Sequence, residues 1–200
     1  CRRADEKVRT GMDGDYSQAY MTLGSVFIKI SGGGKEGYTR TLDTDNGVFA
    51  VRSGGVTRTA FVSHPDKVAV YSIKADEKTD IKLTAKTPHK GGSGVMQGTF
   101  VLYGRAPDVA LPNYLRTALF PIRYNEGKAM VFAMAVSAES DGKVTISSRG
   151  ISVKNASFVH FYFLTHTGFK DYKSMPENDA ATVAGECINN LKCKKLTYPA

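Results

Sequence analysis

A chain of 200 residues with 42% hydrophobic and 23% charged content has the composition of one globular domain, which excludes intrinsic disorder. The net charge of +8 and isoelectric point near 9.3 are dispersed along the sequence. The tight basic clusters are Arg2-Arg3 and Lys192 with Lys194-Lys195 at the two ends, and no aromatic-interleaved basic stripe accompanies them. That pattern excludes a nucleic-acid partner. The longest apolar run, Phe158 to Leu164, is interrupted by His160 and falls far short of the roughly 20 apolar residues that span a bilayer.

In chain order, the weak periodicity of Val8 and Met12 within Arg2–Met12 predicts the end of a helix, punctuated by Gly11 and Gly14. Val26–Ile30 reads as a strand stopped by Gly32-Gly33-Gly34. Val48–Arg52 and Val56–Val62 read as a hairpin across Ser53-Gly54-Gly55. Val68–Ile73 and the alternating Ile81–Thr84 read as two further strands. His89–Gly94 reads as a glycine-rich loop and Thr99–Tyr103 as a strand. A long irregular connection then runs from Asp108 to Glu126. Strands follow at Ala129–Val136, Val144–Ile146, Ile151–Val153 and Phe158–Leu164. Short strands at this spacing are the pattern of a sandwich or barrel. Val183, Ala184, Cys187, Ile188 and Leu191 then recur at helical spacing, predicting a helix over 179–194 capped from Ser174-x-x-Glu177, Asn178 or Asp179.

The residues with chemical potential read as structural. The carboxylates Asp43, Asp45, Asp66, Asp80, Glu126 and Asp141 fall in turns, where such side chains cap the backbone. His160 and His166 share a strand face but lie about 20 Å apart, too far to ligate one metal. Ser63-His64-Pro65-Asp66 is a turn, because a catalytic triad is assembled from separated segments. Gly32–Gly34 and Gly91-Gly92-Ser93-Gly94 lack the lysine-serine ending of a phosphate loop and read as hairpin connections. Cys187 and Cys193 stand about 9 Å apart on one helix, beyond disulfide reach, and read as free thiols. Tyr103, Tyr114, Phe120 and Tyr124 form either a sugar-stacking platform around the long connection or a packing face. No residue is assigned a catalytic, cofactor-binding or metal-binding role.

Several stretches occur in the order and spacing of one enzyme domain. Tyr20-Met21-Thr22-Leu23-Gly24-Ser25, Arg40-Thr41-Leu42-Asp43, Gly55 through Lys67, Gly104-Arg105-Ala106-Pro107, Gly127 through Phe132 and Phe158 through Thr167 resemble successive landmarks of the N-terminal β-domain of glycoside hydrolase family 95. Thr22 and Ser25 stand where that pattern has proline and aspartate. The resemblance implies a mainly β, antiparallel two-sheet super-sandwich over 1–172, incomplete at its N-terminal strands. Residues 173–200 would carry one C-terminal helix beginning the linker to an (α/α)6 barrel. It implies that the barrel, in the same polypeptide, holds the catalytic groups that remove terminal α-L-fucose without a metal or other cofactor. The chain itself would be a non-catalytic scaffold, with carbohydrate as a further partner and a secreted or periplasmic setting. The alternative is a free-standing carbohydrate-binding sandwich. A scaffold predicts an exposed apolar docking patch, and a free-standing module predicts closed sheet edges with an aromatic platform.

Overall fold

The computed structural model describes residues 19–112, 119–125 and 129–194; the helix end expected over 2–12, and Tyr114, lie outside them. In chain order the elements are β1 (Ser25–Ile30), β2 (Thr39–Asp43), β3 (Val48–Ser53), β4 (Val56–Ser63), β5 (Val68–Lys86) and β6 (Lys90–Met96). There follow β7 (Thr99–Arg105), β8 (Val109–Ala110), β9 (Ile122–Arg123), β10 (Val131–Ser140), β11 (Lys143–Ser147), β12 (Gly150–Thr167) and α1 (Ala180–Lys192). The main sheet has the order β2-β3-β4-β5-β12-β10-β7-β6, with β1 added to β5 and β11 to β12. The described residues are therefore mainly β and antiparallel, with one helix among them at Ala180–Lys192, as the strand spacing and the helical periodicity after it predict.

Two long strands turn this connectivity into two packed layers. The first part of β5 pairs with β4 from Val68 to Ala75, and its last part pairs with β1 from Ile81 to Lys86. Strand β12 follows it across the corner, pairing Ile151–Val153 with Leu83–Ile81 and Phe158–Phe163 with Lys74–Ala69. A small sheet, β1-β5-β12-β11, thus folds back over the large one. Registered apolar rows line its inner face: Ile28, Leu83, Ile151 and Ile146, then Ile30, Ile81, Val153 and Val144. They pack against Phe100, Leu102, Met134, Val136, Val159 and Phe161 of the large sheet. Alternation along a strand sends Val131, Ala133 and Ala135 of β10 to the opposite face. There α1 buries Val183, Ala184, Cys187, Ile188 and Leu191. Asp179 caps this helix, accepting from the Ala181 and Thr182 amides; of the three starts the sequence allows, this is the one used.

Two sequence expectations differ from the structure. The separate strand pairs 68–73 with 81–84, and 151–153 with 158–164, are single strands of 19 and 18 residues. Their polar middles form the corner, where the β5–β12 register shifts on both sides of Ala156 and Asn155 takes a φ of 55°. The glycine-rich stretch 90–96 is strand β6 rather than a loop. Glycine has low strand propensity, but the small residue is needed here: a Cβ on Gly91 would stand 2.1 Å from the Tyr103 carbonyl oxygen.

The corner is held by carboxylates. Asp80 accepts from Lys154 Nζ at 2.6 Å and the Asn155 amide at 3.0 Å. Asp141 accepts from the Ser157 amide, the Ser157 hydroxyl and the Phe158 amide at 2.9, 2.7 and 3.2 Å. These bonds, the Ser157 hydroxyl first, hold the Asp141 pKa below its ordinary 3.8. A carboxylate with a depressed folded pKa contributes stability above its unfolded value and loses it as pH falls through the folded value. Asp141→Asn is expected to be less stable than the parent at neutral pH and to lose less stability on acidification below pH 3.8, read by denaturant titration across pH. Ile188→Ala, which opens a cavity between helix and sheet, is expected to lower unfolding free energy by about 2–5 kcal/mol in the same assay.

Candidate functional site

The connection from 106 to 130, the segment before β1 and the turn after β5 meet at one end of the large sheet. The Ala19 amide donates to Ala110 O at 2.7 Å, and the Leu111 amide to Pro121 O at 2.8 Å. The short ribbon of β8 and β9 stiffens the connection, and the Asn125 amide donates to Asp108 Oδ1 at 2.9 Å. Between these segments lies a groove of about 540 Å³. Its walls are mainly apolar (Met21, Leu23, Pro107, Met130 and Phe132), with His89, Asp108 and Thr167 as polar groups. Tyr20 on its wall is exposed, as are Leu119, Phe120 and Ile122 of the connection.

His89 ties the three segments together. Its Nε2 lies 2.9 Å from Thr22 O and its Nδ1 3.4 Å from the Tyr124 hydroxyl. A carbonyl only accepts, so Nε2 donates to Thr22 O, while Nδ1 shares a hydrogen bond with the Tyr124 hydroxyl. Both ring nitrogens are thereby engaged, and the ring acts as a strut. It also meets Phe132 edge-on at 5.5 Å, while Lys90 Nζ lies 5.2 Å from the Tyr124 ring centroid. Such a histidine positions the groove. Sequence reading gave His89 no role, because its partners are 35 and 67 residues away.

The other histidines stand apart. His64 is exposed in the turn after β4, where the Ser63 hydroxyl donates to Asp66 Oδ2 at 2.6 Å. His166 Nε2 lies 3.0 Å from Glu186 Oε2 on α1. His160 is buried beside Ser72, with Nδ1 to Oγ at 2.9 Å. Among the described residues no group of three His, Cys, Asp or Glu gathers to hold a metal. Among them also, every carboxylate with a displaced pKa is displaced downward. Asp43, Asp171, Glu177 and Asp179 join Asp80 and Asp141 in this, each bonded to nearby amides, hydroxyls or side-chain amides. Of the described members of the aromatic set, Tyr103 lies along Gly92 and Gly94 of β6, Tyr124 is held by His89 and Lys90, and Phe120 is exposed on the connection.

A second cavity, about 510 Å³, opens where Gly32–Gly34 meet Gly54 and Gly55. A Cβ on Gly54 would lie 1.9 Å from the Gly34 amide nitrogen, so the approach of two loops explains its glycines. Cys187 sits under α1 with its thiol donating to Leu164 O at 3.2 Å, and burial pushes its pKa up to about 11. Cys193 is exposed and free.

Burial pulls the His160 pKa below its ordinary 6.5; Glu139 acts upward and Lys74 downward. A base with a depressed folded pKa favours the native state above its unfolded value, and that contribution fades as pH falls through 6.5. Thermal melts are expected to show stability dropping as pH is lowered through this region, with a flatter profile for His160→Gln. Thiol alkylation followed by peptide mapping is expected to label Cys193 in the native protein and Cys187 only after unfolding.

No curated protein matches this sequence. Among solved structures, a human-microbiome protein assigned as a kojibiose phosphorylase superposes with a TM-score of 0.49 at 11% identity, covering 89% of this chain. This chain spans 26% of that protein's length. The family model that matches is the N-terminal domain of glycosyl hydrolase family 65, over residues 3–172. The coarser part of the sequence resemblance, a glycoside-hydrolase N-terminal domain, stands with this match. The chain belongs to the family of glycosyl hydrolase family 65 N-terminal domains.

Proposed function

We propose that this chain is the non-catalytic N-terminal sandwich of a glycoside hydrolase and serves as the platform on which the catalytic domain of the same polypeptide sits. The observation that carries this reading is the mainly apolar groove at the end of the large sheet, with Tyr20 exposed on its wall and Leu119, Phe120 and Ile122 exposed on the adjoining connection. Exposed apolar surface beside an apolar groove is a feature of surfaces that a partner covers. In this reading the sandwich occupies 1–172, and 173–200 leads towards a helical (α/α)6 barrel.

Two further observations support it. Inverting hydrolysis needs an acid kept protonated, roughly 6.5–9.5 Å from a base. The displaced carboxylates here are instead held ionised by local hydrogen bonds. Edge strand β2 is exposed along its whole length, whereas a self-sufficient module closes its edges. The finer substrate reading, hydrolysis of terminal α-L-fucose, rests on the family-95 resemblance of the segments around Gly55–Lys67 and Phe158–Thr167.

The purified 200-residue chain is expected to release no aglycone from an aryl α-L-fucoside or an aryl α-glucoside. Turnover above background, removed by substitution of one of its own carboxylates, overturns the platform reading. In the polypeptide that carries the catalytic domain, Phe120→Asp with Tyr20→Asp is expected to separate one melting transition into two. A single unshifted transition counts against docking at this groove.

A further inference from the structure

Strand β2 ends the large sheet, pairs among the described residues only with β3 and has every one of its five residues exposed. Its register with β3 is unbroken, so no bulge twists the edge away, and it contains neither proline nor lysine. Of the devices that protect a sheet edge it has shortness and two charges, Arg40 and Asp43, which are opposite in sign and so can complement a second copy of the strand.

The direction of its free hydrogen-bonding groups follows from the adjacent hairpin. Ser53 pairs with Val56 across the two-residue loop Gly54-Gly55, whose φ values are 54° and 76°. In such a hairpin the flanking residues form a hydrogen-bonded pair. Residues 53, 51 and 49 of β3 therefore bond to β4, and 52, 50 and 48 bond to β2. Across that ladder Thr39, Thr41 and Asp43 spend their backbone groups on Arg52, Ala50 and Val48. Arg40 and Leu42 direct their N–H and C=O groups outward from the sheet.

The geometry points to a partner of the same sequence: we propose that two copies join through β2, antiparallel about a twofold axis at Thr41, making one continuous sheet. In this register Arg40 and Leu42′ exchange backbone hydrogen bonds, Thr41 faces Thr41′ at the close non-hydrogen-bonded position, and Thr39 faces Asp43′. No like charges are opposed. Parallel pairing would set Arg40 against Arg40′ and Asp43 against Asp43′, and a twofold at Arg40 would oppose the two guanidinium groups. Leu42, 66% exposed, would be covered by the stem of Arg40′. The interface is isologous and closed, so it stops at a dimer.

Sedimentation velocity over a concentration series reaching the millimolar range tests this. The expected particle approaches twice the 21.7 kDa chain mass. Leu42→Pro removes only an outward N–H and is expected to weaken the dimer roughly tenfold or more, with an unchanged circular dichroism spectrum. Leu42→Lys, opposite Arg40′, is expected to give a monomer, and Leu42→Glu to keep the dimer. In a Cys1→Ser, Cys193→Ser background, oxidised Thr41→Cys is expected to form a covalent dimer and Thr39→Cys to remain unlinked. A monomer at all concentrations overturns the proposal. So does a dimer indifferent to Leu42→Pro, one lost equally with lysine and glutamate at 42, or one cross-linked as readily from 39 as from 41.

Discussion

The paired corner in β5 and β12 is the constraint on which the rest of this domain depends. Each strand is long enough to belong to two sheets, and both bend at the same place, residues 76–80 of one against 154–157 of the other. Bending a hydrogen-bonded pair disrupts its ladder, which leaves amides in want of acceptors. Asp80 takes the Asn155 amide, and Asp141 takes those of Ser157 and Phe158. Beyond the bend, both strands again place apolar residues on the inner face. Ile81, Leu83, Ile151 and Val153 therefore meet Val159 and Phe161 in one core.

That core leaves the outer face of the large sheet to be covered separately, and the helix covers it. Val131, Ala133 and Ala135 are small enough for α1 to lie close, and Cys187 fits beneath it with its thiol turned to a strand carbonyl. The segment before the helix is fixed to the same end of the sheet as the groove. Arg105 donates to Ala129 O and to Asn178 O, each at 3.0 Å, and the Gly168 amide donates to Val131 O. The groove and the start of the helix are thus set by one small group of strand ends.

Several of the described polar residues hold segments in position. His89 braces three segments, His160 packs with Ser72 beneath the outer face, and the displaced carboxylates terminate turns, bulges and the helix. Among the described residues, exposed apolar side chains lie at the connection (Leu119, Phe120, Ile122), at Leu42 of β2, at Phe27 and Val62, and before the helix at Phe169, Tyr172 and Met175.

Local patterning determined most of the strands, the Gly54-Gly55 hairpin, the helix face and the turn roles of Ser63–Asp66 and Asp141, because each depends on neighbours within a few residues. It also carried the glycoside-hydrolase domain resemblance, in the order of the motifs. What only the tertiary structure decided was set by contacts distant in sequence. The union of 68–73 with 81–84 into one strand depends on β12, about 70–90 residues away along the chain. The strand at Lys90–Met96 exists because Gly91 and Gly104 allow two backbones and the Phe132 ring to approach, a requirement invisible in a glycine-rich stretch read alone. The bracing role of His89 and the open edge at β2 likewise emerge only when the sheet is assembled, since a side chain's partner and a strand's missing neighbour are properties of the fold and not of the segment.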